Sequence, residues 1–223
     1  HFATDDYGLA NFDGTPLYEY SDKEMAVSEW GSFNFMHGRG DTRSFLQSAA
    51  NYWLGAYHFD GLRMDAISRI VYRQGDKSLG VNSEAVDFVR NMNGGLKYLN
   101  PGIMLVAEDS TDYPGITRSV SKGGLGFDYK WDMGWMNDTL NFFRTPPDER
   151  GDQYHKLSFS MMYYPNEHYL LSLSHDEVVH EKATIAQKMW GDYDLKFPQA
   201  RALYLYMFAH PGKKLTFMGC EFA

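Results

Sequence analysis

The 223-residue chain is 43% hydrophobic and 22% charged, a composition that is typical of a globular protein and excludes a disordered chain. Its 29 acidic residues outnumber its 21 basic residues and give a net charge of −8, which argues against a nucleic-acid partner. No apolar run approaches the ~20 residues needed to cross a bilayer, so we expect no membrane partner. The single cysteine, Cys220, excludes a disulfide framework and favours a cytoplasmic location.

The first part of the chain, residues 1–40, is predicted to be a folded loop region, because Asp, Gly and Pro interrupt every hydrophobic periodicity. A helix follows, with Asp41 or Thr42 as its predicted N-cap and its end near residues 55–58. Directly after this helix, residues 61–66 form a short apolar run that predicts a strand with charge at its C-terminal end.

The order of helix and strand repeats along the rest of the chain. A helix that begins near Asn82 precedes a strand over residues 103–107. Further strands are predicted over residues 127–131, 169–174 and 215–218, the last after an apolar helix over residues 200–209. Strands that alternate with helices in this way predict βαβ units on a parallel sheet, buried on both faces.

These units predict an α/β fold, a partial (β/α)₈ barrel. A doubly wound sheet is less compatible, because the Gly-rich run at residues 123–126 lacks the G-x-G-x-x-G pattern and precedes a strand. About five strands are predicted, whereas a closed barrel needs eight. We therefore interpret the chain as one incomplete domain that runs from roughly the end of barrel strand 3 through strand 8 and lacks the first strands. Residues 1–40 would be a loop or insert after strand 3, and residues 41–223 the C-terminal part of the barrel.

Three carboxylates stand at the C-terminal ends of three predicted strands: Asp65, Glu108 and Asp176. In a (β/α)₈ barrel that rim carries the active site, and two carboxyl groups in different environments are what cleavage of a glycosidic bond requires. Arg63 precedes Asp65 by two residues, which places both side chains on one face of a strand, where the guanidinium would keep Asp65 ionised. Glu108 follows an apolar strand, where desolvation would keep it protonated.

Each of these residues also has a structural interpretation. An acidic residue after a strand is often only a turn or a helix cap, and an arginine is often a structural ion-pair partner. Asp109 and Glu177, which are adjacent to two of the three carboxylates, are predicted to be orienting or structural groups. The repetition of the pattern on three strand ends favours the catalytic interpretation.

Three segments resemble the second, third and fourth signature regions of the α-amylase superfamily: residues 61–66 (GLRMDA), 106–110 (VAEDS) and 173–178 (LSHDEV). The flanking sequence is similar to that of bacterial 1,4-α-glucan branching enzymes. The similar segments are residues 7–10, 12–20, 124–127, 129–131 and 211–215. The resemblance covers essentially the whole chain and implies a piece of the catalytic barrel of such an enzyme.

The resemblance implies a role for each carboxylate. Asp65 would be the nucleophile that forms a glycosyl-enzyme intermediate, Glu108 the general acid and then the general base, and Asp176 would bind the hydroxyls of the distorted sugar. Retention of configuration requires the carboxyl groups of Asp65 and Glu108 to lie ~5–5.5 Å apart. In branching, the 6-hydroxyl of a glucan attacks the intermediate in place of water, which converts an α-1,4 link into an α-1,6 branch of glycogen.

Five further residues are expected to bind the substrate. Arg63 would orient the nucleophile, His175 would contact the same sugar, and His1 matches the histidine that closes the first signature region. Trp131 and Tyr129 lie near a strand tip and are candidates for holding the acceptor chain. For these two aromatic residues, a role in the core is at least as compatible with the sequence.

The resemblance implies no cofactor and no essential metal, an α-glucan such as glycogen or amylose as substrate, and a need for the parts of the same polypeptide that complete the barrel. Glu181 departs from the family, in which we expect glycine at this point. Two alternatives stay open: an amylase-like hydrolase or debranching enzyme of the same superfamily, and a catalytically inactive glucan-binding fragment. The flanking segments within residues 7–20 favour a branching enzyme over the other enzymes.

Overall fold

The computed structural model describes residues 3–179 and 181–222, and strands and helices alternate along this part of the chain. The strands are β1 (Gly61–Met64), β2 (Met104–Ala107), β3 (Tyr129–Trp131), β4 (Tyr169–Leu173) and β5 (Lys213–Thr216). The helices are α1 (Lys23–Ala26), α2 (Gly40–Ala56), α3 (Ile67–Val71), α4 (Ser83–Leu99), α5 (Met133–Arg144), α6 (His155–Ser158), α7 (Ser160–Tyr163) and α8 (Tyr193–Ala209). Every predicted strand is therefore present, at slightly different bounds.

The chain folds into two compact units. The first comprises the residues up to Val106 together with Arg118–Phe127, and the second comprises Ala107–Thr117 together with the residues from Asp128 onward. The predicted division into residues 1–40 and 41–223 stays a prediction. No helix among the described residues has the length and apolar character that a membrane crossing requires.

In the first unit, β1 and β2 are adjacent. The amide of Met104 donates a hydrogen bond to the carbonyl oxygen of Asp60 at 2.9 Å. Gly61 allows this approach, because a Cβ at that position would lie only 2.1 Å from the carbonyl oxygen of Met104. Helix α4 begins where predicted, since the side chain of Asn82 caps it by accepting a hydrogen bond from the amide of Ala85 at 3.2 Å.

The predicted N-cap of α2 is wrong. The N-cap residue is Arg39, which makes no side-chain capping bond, and the hydroxyl of Thr42 donates instead to the carbonyl oxygen of Tyr18 at 3.1 Å. Asp41 lies in the first turn, where the helix dipole favours a negative charge. The Thr42 hydroxyl could have capped the helix, but it bonds instead to a carbonyl oxygen of the preceding loop. Within residues 3–39, that loop carries the short helix α1 and two isolated bridges, one of them between Glu19 and Phe35.

In the second unit, β3, β4 and β5 form a parallel sheet with β4 in the middle. Lys130 of β3 is the register partner of Tyr169, and Leu171 of β4 is the partner of Lys214 on β5. The hydrophobic core of this unit lies between the sheet and the helices α5 and α8. Its fully buried members include Trp135, Leu171, Leu173, Ile185, Leu203 and Met207. This packing fixes the C-terminal ends of the strands, where the predicted functional residues stand.

Candidate active site

Asp65 follows the last residue of β1 and forms an ion pair with Arg63. The Nη2 atom of Arg63 lies 2.7 Å from Oδ1 of Asp65, and the side chains are 28% and 62% exposed, respectively. The predicted placement of both side chains on one face of the strand is therefore confirmed. The charge-assisted hydrogen bond holds the Asp65 carboxylate in one orientation while leaving it open to solvent.

The backbone turns sharply directly after Asp65. Ala66 has φ 48° and ψ 53°, the left-handed conformation that costs a non-glycine residue about 1–2 kcal/mol. This turn lets the chain pass from β1 into α3, whose residues Ile67 and Val71 are fully buried. The buried helix therefore maintains the strained backbone beside Asp65, as is common at functional sites.

A cavity of about 470 Å³ lies beside Asp65 in the first unit. The N-terminal loop contributes Tyr20, Phe35 and His37 to its wall, and the segment after β1 contributes Arg69. Burial, with a further contribution from the positive charge of Arg43, lowers the pKa of His37 to about 4. The imidazole of His37 is therefore neutral at neutral pH. No sequence pattern points to His37, because its burial comes from tertiary packing against residues such as Phe88.

Glu108 directly follows β2 and is partly exposed, whereas the next residue, Asp109, is buried. The carboxylate of Asp109 lies 2.8 Å from Nζ of Lys130, and both of its oxygens accept the hydroxyl of Thr111 at 3.0 Å. The prediction that Asp109 is a structural group is confirmed. The role of Glu108 as acid and base stays a prediction.

The end of β4 shows the same division between an open and a buried carboxylate. Asp176 is partly exposed and its Oδ1 atom lies 3.2 Å from Nε2 of His175. Glu177 is buried and accepts hydrogen bonds from the amide and the hydroxyl of Ser174, at 2.5 and 2.8 Å. This reciprocal cap confirms the structural role that was predicted for Glu177.

The predicted substrate-binding aromatics differ in burial. Trp131 is 3% exposed, whereas Tyr129 is partly exposed and its ring centroid lies 5.0 Å from Nζ of Lys213. The contact of both aromatic residues with an acceptor chain stays a prediction. The separation of ~5–5.5 Å between the carboxyl groups of Asp65 and Glu108 also stays a prediction. His1 lies outside the described residues.

Asp132, which follows β3, is a further carboxylate at a strand end that sequence reasoning missed. It is 2% exposed, and its Oδ1 atom accepts the amide of Trp135 at 2.9 Å and the hydroxyl of Tyr163 at 2.7 Å. Burial raises the pKa of Asp132, although these two hydrogen bonds oppose the shift. The residue is therefore the cap of α5, and the sequence signal was its position directly before an apolar helical pattern.

Within residues 3–179 and 181–222, no group of three or more His, Cys, Asp or Glu side chains could hold a metal ion.

The chain matches curated relatives along its whole length, although no family model matches it. It is 49% identical to the 1,4-alpha-glucan branching enzyme GlgB of Bacillus caldolyticus and 48% identical to that of Bacillus subtilis strain 168. Each alignment includes 100% of this chain. The chain is thus similar, over its full length, to a part of these 1,4-alpha-glucan branching enzymes. It spans about a third of the length of these relatives, 34% of the first and 36% of the second.

The structure is also similar to solved structures of α-amylase-type enzymes. An alpha-amylase from Geobacillus thermoleovorans, complexed with acarbose, matches with a TM-score of 0.58 and 17% identity, over 93% of this chain and 43% of that one. The type I pullulanase of Bacillus subtilis strain 168, complexed with maltose, matches with a TM-score of 0.63 and 16% identity, over 92% of this chain and 30% of that one. At such identities the likeness shows the fold alone. It confirms the predicted partial (β/α)₈ barrel.

Proposed function

We propose that this chain is part of the catalytic domain of a 1,4-α-glucan branching enzyme, a hexosyl transferase of glycogen biosynthesis. The enzyme would cut α-1,4 links of an α-glucan and rejoin the cut chain through α-1,6 links. The observation that carries the proposal is the 49% identity, over the whole chain, to an enzyme of that name. The ion pair of Arg63 with the open carboxylate of Asp65 supports it, because an oriented carboxylate is what the nucleophilic step requires.

The proposed reaction has two displacement steps. In the first, a carboxylate oxygen of Asp65 attacks C1 of the donor sugar, the bond between C1 and the glycosidic oxygen breaks, and Glu108 gives its proton to that oxygen. In the second, the 6-hydroxyl of the acceptor glucan attacks C1 and transfers its proton to Glu108, and the bond from C1 to Asp65 breaks. Asp176 binds the hydroxyls of the distorted sugar. No redox step or cofactor enters this sequence.

Five residues are proposed to hold the substrate around these carboxylates. Arg63 orients the nucleophile, and His175 and His1 bind the reacting sugar. The contact of His175 with Asp176 supports a shared task for these two neighbours. Tyr129 and Trp131 are proposed to hold the acceptor chain, and the partial exposure of Tyr129 supports the first of them more directly.

The remaining parts of the same polypeptide are proposed as partners that complete the barrel. Four rings at the end of α2 support this proposal: Tyr52, Trp53, Tyr57 and Phe59 are between 43% and 56% exposed. They contact one another, and the rings of Trp53 and Phe59 stack with their centroids 5.6 Å apart. A contiguous exposed aromatic patch is typical of a surface that another segment covers.

The scarcity of cysteine supports a cytoplasmic location.

The direct test is to incubate the intact parent polypeptide with linear amylose. We expect the iodine-complex absorbance to fall and enzymatic debranching to release short chains, while the number of reducing ends stays constant. A gain of reducing ends without new branch points would identify an amylase-like hydrolase instead. Loss of existing α-1,6 links would identify a debranching enzyme. Binding of maltooligosaccharide without turnover, unaffected by Asp65→Asn, would identify a non-catalytic glucan-binding protein.

A further inference from the structure

The loop that follows β2 is held by a buried ion pair in the second unit. The side chains of Asp109 and Lys130 are 0% and 6% exposed, and Nζ of Lys130 lies 2.8 Å from Oδ2 of Asp109. The same ammonium donates to the carbonyl oxygen of Thr111 at 2.5 Å, and the hydroxyl of Thr111 contacts both carboxylate oxygens of Asp109 at 3.0 Å. Movement of the loop would therefore leave a buried charge unpaired, which is strongly unfavourable.

Glu108 is the residue that this pair fixes most directly. It stands between Ala107, which is 0% exposed, and Asp109, which is 1% exposed, and it is itself partly exposed. Consecutive side chains of extended backbone project to opposite sides. Because Asp109 is drawn into the interior by Lys130, the backbone at this point directs Glu108 the other way.

Stability alone gives a poor account of this pair. A buried ion pair is weak evidence for stability, because apolar residues of similar volume often replace it without loss. What an ion pair does supply is a defined geometry, since only one arrangement satisfies both charges and the Thr111 hydroxyl. Lys130 lies on β3, in register with Tyr169 of β4, so the ion pair ties the loop to the parallel sheet of this unit.

We propose that Asp109 and Lys130 are positioning residues for proton transfer by Glu108, an inference that rests on the proposed function. They touch neither the substrate nor the reacting atoms. Their contribution is to hold the Glu108 carboxyl group where it can protonate the leaving glycosidic oxygen and later accept the proton of the acceptor hydroxyl. A displacement of about 1 Å at such a group can cost ~10²-fold in rate.

The test compares two donors in the intact parent polypeptide. With an α-glucan, the departing oxygen needs the proton of Glu108. With α-maltosyl fluoride, the C1–F bond breaks on attack by Asp65 and fluoride leaves without a proton, so the first step no longer needs an acid. The value of kcat/KM for fluoride release reports this first step alone. The variants are Asp109→Asn, Lys130→Met and the milder Thr111→Val, each checked for folding by circular dichroism.

We expect Asp109→Asn and Lys130→Met to lower kcat/KM on α-glucan by ~10²-fold and to lower fluoride release by less than ~10-fold. Thr111→Val should also lower kcat/KM more on α-glucan than on the fluoride, but by a smaller factor. The matched control is Glu167→Gln. The Glu167 carboxylate accepts the amides of Gly115, Ile116 and Thr117, farther along the same loop from Glu108, so its weakening should affect both donors equally. An equal loss on both donors in the folded Asp109 or Lys130 variants, or no loss, would overturn the inference.

Glu108→Gln separates this inference from the proposed function. If Glu108 is the general acid, this variant loses most activity on α-glucan and little on the fluoride. A second outcome is that Glu108→Gln loses activity mainly on α-glucan, whereas the Asp109 and Lys130 variants do not. That outcome leaves the proposed function intact and rejects the positioning role. If Glu108→Gln loses both activities equally, its role as acid is wrong, and the positioning role falls with it.

Discussion

At the scale of single residues, burial separates the structural carboxylates of this chain from those proposed to act in catalysis. Asp109 and Glu177 are buried and their oxygens are taken up by neighbouring donors, whereas Asp65, Glu108 and Asp176 are open or half-open. At the ends of β2 and β4, a buried carboxylate directly follows a partly exposed one: Asp109 follows Glu108, and Glu177 follows Asp176. Adjacent side chains point in different directions, through the alternation of a strand at the end of β2 and through the ~120° rotation per residue of the 3₁₀ turn that holds Asp176 and Glu177.

The first prediction concerns the proposed nucleophile. Replacing Asp65 by Asn removes the group that would form the glycosyl-enzyme bond but preserves the size of the side chain. We expect transfer by the parent polypeptide to fall by ~10⁶-fold, a loss typical of a removed nucleophile. The melting temperature should change little, because the side chain is 62% exposed and an exposed ion pair contributes at most about 1 kcal/mol. Near-normal transfer in this variant would remove Asp65 from the mechanism.

The second prediction concerns Asp132 and pH. Because burial raises the pKa of this carboxyl above its ordinary value of 3.8, the folded protein binds the proton more tightly than the unfolded chain. Stability is therefore lost as the pH rises from the unfolded pKa through the higher native pKa. Asp132→Asn keeps an acceptor for Trp135 and Tyr163 and removes the titration. We expect the variant to gain stability relative to the wild type over this window.

Urea unfolding measured between about pH 4 and pH 7 checks the prediction for Asp132, since each pKa unit of difference corresponds to about 1.4 kcal/mol. Curves of unfolding free energy that stay parallel for the two proteins across this range would contradict it. Asp138→Asn, a change on α5 itself at a partly exposed carboxyl, serves as the control.

At the scale of elements, side chains that reach across loops determine where the strand ends lie. The clearest case is Glu167, which stands before β4. Its carboxylate accepts the amides of Gly115, Ile116 and Thr117 at 2.7, 3.0 and 2.7 Å, and the hydroxyl of Thr117 at 2.5 Å. Three successive amides are thus satisfied by one side chain, which orders the long connection after β2.

The third prediction follows from this contact. Glu167→Ala leaves these amides without their acceptor, and hydrogen bonds to a charged group contribute about 1.5–3 kcal/mol. Because the side chain is only partly buried, we expect the loss of unfolding free energy to be near the lower end of that range. The neighbouring change Asn166→Ala, at an exposed position, should alter stability by less than about 0.5 kcal/mol. Equal stability of the two variants in chemical denaturation would contradict the anchoring role.

The strands and the helices α2, α4 and α8 could be predicted from sequence, but the contacts that orient them could not. Periodicity located α4 and its Asn82 cap, because both are local features of the chain. The cap of α2 was wrong, because Thr42 bonds to a loop that is distant in sequence. At Glu181 the expectation of glycine has a physical basis, since the residue has φ 64°, a conformation that glycine adopts without strain.

The candidate site was predictable to a similar extent. Residue type and strand-end position identified Asp65 with its Arg63 partner, and they identified the structural neighbours Asp109 and Glu177. The partner of Asp109 could not be predicted, because Lys130 lies on another strand and only tertiary packing brings the two together. Helix α5 was missed although its buried positions follow a helical period. These are Trp135, Met136, Thr139, Leu140 and Phe143.

At the scale of the whole molecule, the chain spans about a third of the length of its relatives, and a cluster of four exposed rings lies at the end of α2. If other parts of the polypeptide cover this cluster, the double change Trp53→Ser and Tyr57→Ser should benefit the 223-residue chain and harm the intact parent. We expect the double change to reduce aggregation of the 223-residue chain and to lower the melting temperature of the parent. Light scattering and thermal unfolding measure the two effects. Tyr154→Ser, at a position that is 69% exposed in the second unit, is the control.

If the double change leaves the melting temperature of the parent unaltered, the ring cluster is exposed there as well, and the proposed covering by the same polypeptide is wrong. A stable parent with unchanged transfer activity would then point to the cluster as a surface that binds something else. The control variant should be neutral in both contexts.

The central claim is that Asp65 carries the sugar while a glucan chain is moved from donor to acceptor. Trapping the intermediate tests it most directly: the parent polypeptide, in the Glu108→Gln background, is treated with a 5-fluoro α-maltosyl fluoride, and its peptides are mapped by mass spectrometry. The account predicts one added glycosyl group, on the peptide that contains Asp65 and on that side chain. A label on a different residue, or turnover of this donor with inversion and no labelled peptide, would contradict it.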